Sequence, residues 1–132
     1  MTTPIKYSIA KLLKEKGFDK YGYLQDVWLG NKYKWKGKGK NKKSVEIPVF
    51  GLGATSVLPT IAEVVMWLYE KHGIWIFTDY TNKLFYWTIQ KGETDYLHQE
   101  DIILGTTIRN DGFNSPTEAY EAAIEYTLKN LI

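Results

Sequence analysis

The sequence contains no cysteine, and that one absence removes disulfides, thiolate nucleophiles and cysteine metal sites together while fitting a reducing compartment. Long hydrophobic runs are missing too. No segment approaches the ~20 apolar residues that a bilayer-spanning helix needs, and residues 1–17, with their scattered lysines, hold no apolar run of signal-peptide length. The expectations are no export, no membrane partner and a cytoplasmic location. Histidine is confined to His72 and His98, and neither sits in a metal-binding spacing such as His-Glu-x-x-His. His72 falls at the C-terminal end of a predicted helix, where the dipole favours an imidazolium, and His98 lies in a polar segment with Gln99, Glu100 and Asp101. The acidic pairs Glu93 with Asp95 and Glu100 with Asp101 fit loop decoration better than proton sharing or cation binding. Glu63 and Glu70 fit a solvated helix face. No catalytic residue, metal ligand or cofactor is assigned, and the chain reads as a non-enzyme.

What is present is enough for one core. At 132 residues and 44% hydrophobic content, with no repeat and no dividing linker, a single domain over residues 1–132 is expected. The net charge of +2 conceals a local concentration of positive charge. Seven lysines and no acid lie between Lys32 and Lys43, which leaves 10 basic residues against 15 acidic ones in the rest of the chain.

Three segments carry helix signals. Ser115, Pro116, Thr117 and Glu118 form a capping box with proline at the first helical position. The apolar stripe that follows is Tyr120, Ala123, Ile124, Thr127, Leu128 and Leu131, with Glu118, Glu121, Glu125 and Lys129 off it. Thr3, Pro4, Ile5, Ile9, Leu12 and Leu13 predict a first helix that Gly17 ends in a left-handed conformation, with Phe18 packing back. A middle helix begins at Pro59, buries Ile61, Val64, Val65 and Leu68, and stops at Gly73, with Trp67 and Tyr69 partly outside its stripe. Between the helices the period falls to two. Ile74 to Tyr80 and Leu84 to Ile89, joined by Thr81, Asn82 and Lys83, read as a hairpin. Tyr33 to Lys36 and Val45 to Phe50 read as another, with its tip at Gly37 to Lys43, and Ile102 to Ile108 as a further strand. The order of elements favours an α+β fold, an antiparallel sheet of two hairpins packed by three helices.

The lysine-rich hairpin supplies the candidate binding residues Lys32, Lys34, Trp35, Lys36, Lys38, Lys40, Lys42 and Lys43. Strand alternation sends Lys32, Lys34 and Lys36 to one face and Tyr33 and Trp35 to the other. Two readings remain open. In one, the lysines contact phosphates and an exposed ring stacks on a base, which suits single-stranded nucleic acid or a nucleotide. In the other, Tyr33 and Trp35 turn inward to the core and the lysines form a solvated face that protects an edge strand from aggregation. The second carries more weight, because lysine without arginine lacks bidentate base readout.

Two further features are weaker. In the central hairpin Ile74, Ile76, Leu84 and Tyr86 alternate with Trp75, Phe77, Phe85 and Trp87, so neither strand has a polar face and most of these rings are expected in the core. The loop Gly51, Leu52, Gly53, Ala54, Thr55, Ser56 sits between a strand and a helix, where backbone amides can aim at a phosphate. Gly51, Gly53 and Ser56 are its candidate nucleotide contacts. Its match to a dinucleotide fingerprint or P-loop is poor, and a flexible turn is the simpler role.

The strings IKYSIAKLLKEKGFD from Ile5 to Asp19, PTIAEVVMWLYEKHGIWI from Pro59 to Ile76 and FNSPTEAYEAAIEYTLKNLI from Phe113 to Ile132 resemble small proteins of phages, prophages and mobile elements in gut Bacteroidales. The resemblance implies an accessory protein made in a bacterial cytoplasm and carries over no activity and no site residue. The leading expectation is a non-enzymatic accessory protein that binds a host or phage macromolecule through its lysine and aromatic β-surface. A nucleic-acid-binding module is the alternative, followed by a sponge for a nucleotide signal or an inhibitor of a host defence system. The partner is thus a protein or a nucleic acid.

Overall fold

A computed structural model describes residues 3–53, 55–93, 95–98 and 112–132. Among them are three α-helices and two open antiparallel sheets, of two and three strands, an α+β fold as the sequence predicts. In chain order the elements are α1 (Tyr7–Glu15), β1 (Val27–Lys36), β2 (Lys43–Gly51), α2 (Ile61–His72), β3 (Ile74–Thr81), β4 (Leu84–Lys91), β5 (Asp95–His98) and α3 (Pro116–Asn130). The strand expected at Ile102 to Ile108, the acidic pair Glu100 and Asp101, and Ala54 of the glycine loop lie outside the described residues. None of the described helices is long and apolar enough to cross a membrane. Within the chain expected above to be one domain, two compact units are distinguished, Met1–Phe18 with Leu58–Ile132, and Asp19–Val57.

In the larger unit Gly17, Gly73 and Ser115 mark helix ends as their sequence signals predict, whereas α1 begins only at Tyr7, past Thr3, Pro4 and Ile5, and α2 at Ile61 rather than at Pro59. Gly17 takes φ 90°, and the Phe18 amide donates to the Leu13 carbonyl at 3.0 Å, closing α1 with a left-handed turn. Thr60 caps α2 in a full box: its hydroxyl accepts from the Glu63 amide while the Glu63 carboxylate accepts from the Thr60 amide. Gly73, at φ 65°, ends that helix and leads straight into β3. Ser115 accepts from the Glu118 amide at 3.2 Å, with Pro116 opening α3.

The sheet runs β3-β4-β5, and β3 turns into β4 through Asn82 and Lys83, both at positive φ. That is a two-residue turn where three loop residues were expected, and positive φ at both positions is what matches its twist to a hairpin. Helix α3 packs on β3 and β4 and also touches α1 and α2, while α2 packs on β3. The interior so formed holds Ile9, Leu13, Ile61, Val64, Leu68, Ile74, Ile76, Ile89, Ile124 and Leu128, all essentially without exposed surface. Each such aliphatic side chain contributes roughly 1.5–3 kcal/mol relative to leaving it in water. Trp87 joins this core and meets the Tyr126 ring of α3 at 5.5 Å.

Two side chains depart from the helical stripes. Trp67 is buried rather than marginal, because Phe18, brought back by the α1 turn, presents its ring edge-to-face at 5.3 Å. Glu121, read as lying off the apolar stripe, is buried on α3, and among the described residues its Oε2 has no hydrogen-bond partner.

Candidate functional site

The smaller unit, Asp19–Val57, is organised around the β1–β2 ribbon. It carries 8 lysines against 3 carboxylates, a net charge of +5, while the larger unit has 9 basic and 12 acidic residues and a net charge of −3. Below the ribbon the two chains stay tied, with the Leu24 amide donating to the Val57 carbonyl at 3.1 Å and Ser56 Oγ donating to the Gln25 carbonyl at 3.3 Å. The strands are longer than the alternating runs suggest, since pairing continues from Lys36↔Lys43 down to Val27↔Gly51. At the far end Gly37 turns at φ 103°, where an added Cβ would strike the Asn41 backbone, and the Asn41 amide closes on the Lys38 carbonyl at 3.1 Å.

The register decides which side chains share a face. Lys32 pairs with Ile47, Lys34 with Val45 and Lys36 with Lys43, so the lysine row of β1 lies on the same face as the aliphatic residues of β2. Tyr33 pairs with Glu46, Trp35 with Ser44 and Trp28 with Phe50, which collects the rings on the other face. A bulge between Trp28 and Gly30, with Gly30 at φ 116°, restores Trp28 to the ring face despite its odd separation from Tyr33.

Here the structure corrects the inward reading of the rings. Trp35 is 69% exposed, Tyr33 72%, and Trp28 and Phe50 60% each. Val45, Ile47 and Val49 take the half-buried positions instead. The physical reason is register: the short branched side chains of β2 compete with the rings of β1 for the covered face, and the side that Val45, Ile47 and Val49 occupy also carries Lys32 and Lys34. Alternation within β1 correctly separates rings from lysines, but it is silent on which set is covered.

Lys32, Lys34, Lys36 and Lys43 stand on the aliphatic face, and Lys38, Lys40 and Lys42 on the tip; all seven are exposed, as is Trp35. Among the described residues none of the seven is in an ion pair. Lys36 and Lys43 are direct cross-strand partners, an arrangement of like charges that destabilises the ribbon end. On the ring face the one carboxylate, Glu46, is occupied: Trp28 Nε1 donates to Asn31 Oδ1 at 3.0 Å, and Asn31 Nδ2 donates to Glu46 Oε1 at 2.6 Å.

The glycine loop is used internally. The Gly53 amide donates to Ser56 Oγ at 2.9 Å, and the Ser56 amide donates to the Gly53 carbonyl at 3.0 Å, so neither is offered to a phosphate. Gly51 and Gly53 are small for packing: a Cβ on Gly53 would sit 2.7 Å from Val27 Cγ2, and one on Gly51 3.0 Å from Leu29 Cδ1. The helix that follows starts only at Ile61 and is capped by its own Thr60.

Elsewhere, an open groove of about 410 Å³ is lined by Met66, Tyr69, Gly73, Trp75, Gln90 and Gly92. Among the described residues no charged side chain lines it, and the Gln90 amide is already donating to the Gly92 carbonyl at 3.1 Å. His98 Nδ1 lies 3.1 Å from the hydroxyl of buried Thr88, and His72 packs its ring on Trp67 at 5.0 Å. Among the described residues no group of three or more histidine, aspartate or glutamate side chains is placed to share a cation.

Trp28 and Phe50 are the site residues that sequence reading missed. The signal was present in β2, where Phe50 continues the series Ser44, Glu46, Pro48 and not the series Val45, Ile47, Val49. Comparison of the chain with protein-family models, with curated proteins and with solved structures finds no match. The chemistry of the site therefore rests on its own geometry.

Proposed function

We propose that this chain is a non-enzymatic accessory protein that binds nucleic acid through the β1–β2 ribbon. The observation that carries the reading is the lysine row, without an ion pair among the described residues, which ends in the opposed pair Lys36 and Lys43. Like charges held across a ladder raise the free energy of the unbound ribbon, and a polyanion laid along it relieves them. Phosphate backbones recruit such rows by releasing condensed counterions, without any need for base-specific groups. The absence of arginine from the row agrees with contact to phosphates as point charges in place of bidentate reading of base edges. The three strings that resemble phage and mobile-element proteins support a setting in a bacterial cell carrying such an element.

The test is fluorescence anisotropy with labelled single-stranded and duplex oligonucleotides across a salt series. With all seven lysines engaged, the slope of log affinity against log salt should approach about −5 on a single strand. Replacing Lys34, Lys36, Lys38 and Lys40 by glutamine should flatten that slope by about 3. No binding to any probe at low salt, with the protein folded, rejects the reading.

A further inference from the structure

We infer that the ring face of the ribbon is a stacking platform for single-stranded nucleic acid, with one base seated on each rung that carries a ring. The inference rests on the nucleic-acid reading above and names the form of the ligand.

On the ring face the ladder presents four successive rungs: Trp35 with Ser44, Tyr33 with Glu46, Asn31 with Pro48, and Trp28 with Phe50. Three of them carry an exposed ring. Side chains two residues apart on a strand are separated by about 6.6 Å. Stacked bases rise only about 3.4 Å per strand, so a chain matched to these rungs is stretched to about twice that rise and has its bases parted from one another. A parted base exposes both faces, and an aromatic ring covers one of them at little cost in sequence preference. A duplex keeps its bases stacked and paired and leaves the rings unused.

The platform is partly pre-set. Hydrogen bonds from Trp28 Nε1 to Asn31 and from Asn31 to Glu46 tie together three side chains on the second, third and fourth rungs. Ordering these side chains before the ligand arrives lowers the entropy lost on binding. The phosphates are served from the sides. The two rings nearest the tip are flanked in sequence by lysines, Tyr33 by Lys32 and Lys34, and Trp35 by Lys34 and Lys36. Among the described residues no third strand pairs with the outer edge of β1, so their long stems can pass around it. Beyond Trp35 the tip adds Lys38, Lys40 and Lys42. Charge complementarity thus selects a polyanion, and the exposed rings select one whose bases are free.

The experiment uses the full chain and three probes of about twelve nucleotides, a length within the range one such platform covers: an oligothymidine, an oligouridine and a blunt duplex. Anisotropy is read for the wild type and for Y33A, W35A and the combined K34Q/K36Q variant. Because Tyr33 and Trp35 are mostly in water, their loss leaves the fold intact, which circular dichroism verifies. The expected result is tighter binding of at least one single-stranded probe than of the duplex. Y33A and W35A should each weaken that binding about tenfold and leave the duplex unmoved, while K34Q/K36Q weakens all probes. Equal or tighter binding of the duplex, or ring variants that bind single strands like the wild type, overturns the stacking inference while lysine-dependent binding survives. Absence of binding to all three probes overturns both readings together.

Discussion

Lys36 and Lys43 face each other across the last rung of the β1–β2 ladder, with no carboxylate among the described residues paired to either. A fold selected for stability alone has no reason to keep that pair, since directly opposed like charges in a ladder cost a few tenths of a kcal/mol to about 1 kcal/mol. Lys43→Gln is therefore expected to raise stability by that amount at low salt while weakening oligonucleotide binding. Urea denaturation and anisotropy on the same protein measure the two effects. Both should shrink as salt rises, because the charges are exposed and screened. A variant that is no more stable, or that binds as well as before, would remove the argument that the ribbon end is held under electrostatic load for a ligand.

Glu46 offers the reverse experiment. It is the only carboxylate on the ring face, and it sits opposite Tyr33, where a passing phosphate would meet it. Glu46→Gln keeps an oxygen that can accept from Asn31 and deletes the negative charge. Affinity for a single strand should rise a few-fold at low salt, with a smaller gain at high salt. Lower affinity would mean that the carboxylate's hold on Asn31 matters more than its repulsion.

The helices and the central hairpin were legible because their signals are local. Ser115 with Pro116 and the glycines at 17 and 73 each fix a helix end through bonds within a few residues, while the equally local box of Thr60 with Glu63 was passed over for a start at Pro59 and a solvated Glu63. The separation of Lys32, Lys34 and Lys36 from Tyr33 and Trp35 was legible for the same reason, as strand alternation is a property of one strand. Which face is covered was not, because it depends on the pairing of Lys34 with Val45 and Lys32 with Ile47, a relation between segments more than ten residues apart in sequence. The membership of Trp28 in the ring face was further hidden by the bulge at Gly30, which changes the parity of β1. The burial of Glu121 was also hidden. It lies off the main stripe of α3, and only the packing of neighbouring elements closes over it.

Glu121 carries a stability prediction of its own. Its Oε2 is buried without a partner among the described residues, and a buried acceptor left unsatisfied costs roughly 1–3 kcal/mol. Glu121→Leu keeps much of the volume, removes both oxygens and retains high helix propensity. The variant should gain about 1–2 kcal/mol, seen as a higher urea midpoint with unchanged slope. A loss of stability would show that the carboxylate is satisfied in solution, for instance by a trapped water.

Gly112 tests how β4 is covered near its start. The Phe113 amide donates to the Phe85 carbonyl and the Phe85 amide to the Phe113 carbonyl, both at 2.8 Å, so the residue just before α3's capping turn is clamped to the strand. A Cβ on Gly112 would lie 2.5 Å from Leu84 Cβ and 2.9 Å from Tyr86 Cζ. Leu84 Cβ is fixed by the strand backbone and cannot swing aside as the end of a side chain can. Relief must come from moving the 112–113 backbone, which stretches the paired bonds to Phe85. Overpacking of this kind costs about 1–3 kcal/mol, and each weakened bond adds up to about 1 kcal/mol. Gly17→Ala serves as the control. Gly17 has open space around its missing Cβ and pays only for its left-handed backbone, about 1–2 kcal/mol. Gly112→Ala should therefore be the more damaging of the two in urea denaturation, and it should raise hydrogen exchange at the Phe85 and Phe113 amides, which Gly17→Ala leaves protected. The opposite order of damage would mean that the segment before α3 does not rest on β4 in solution.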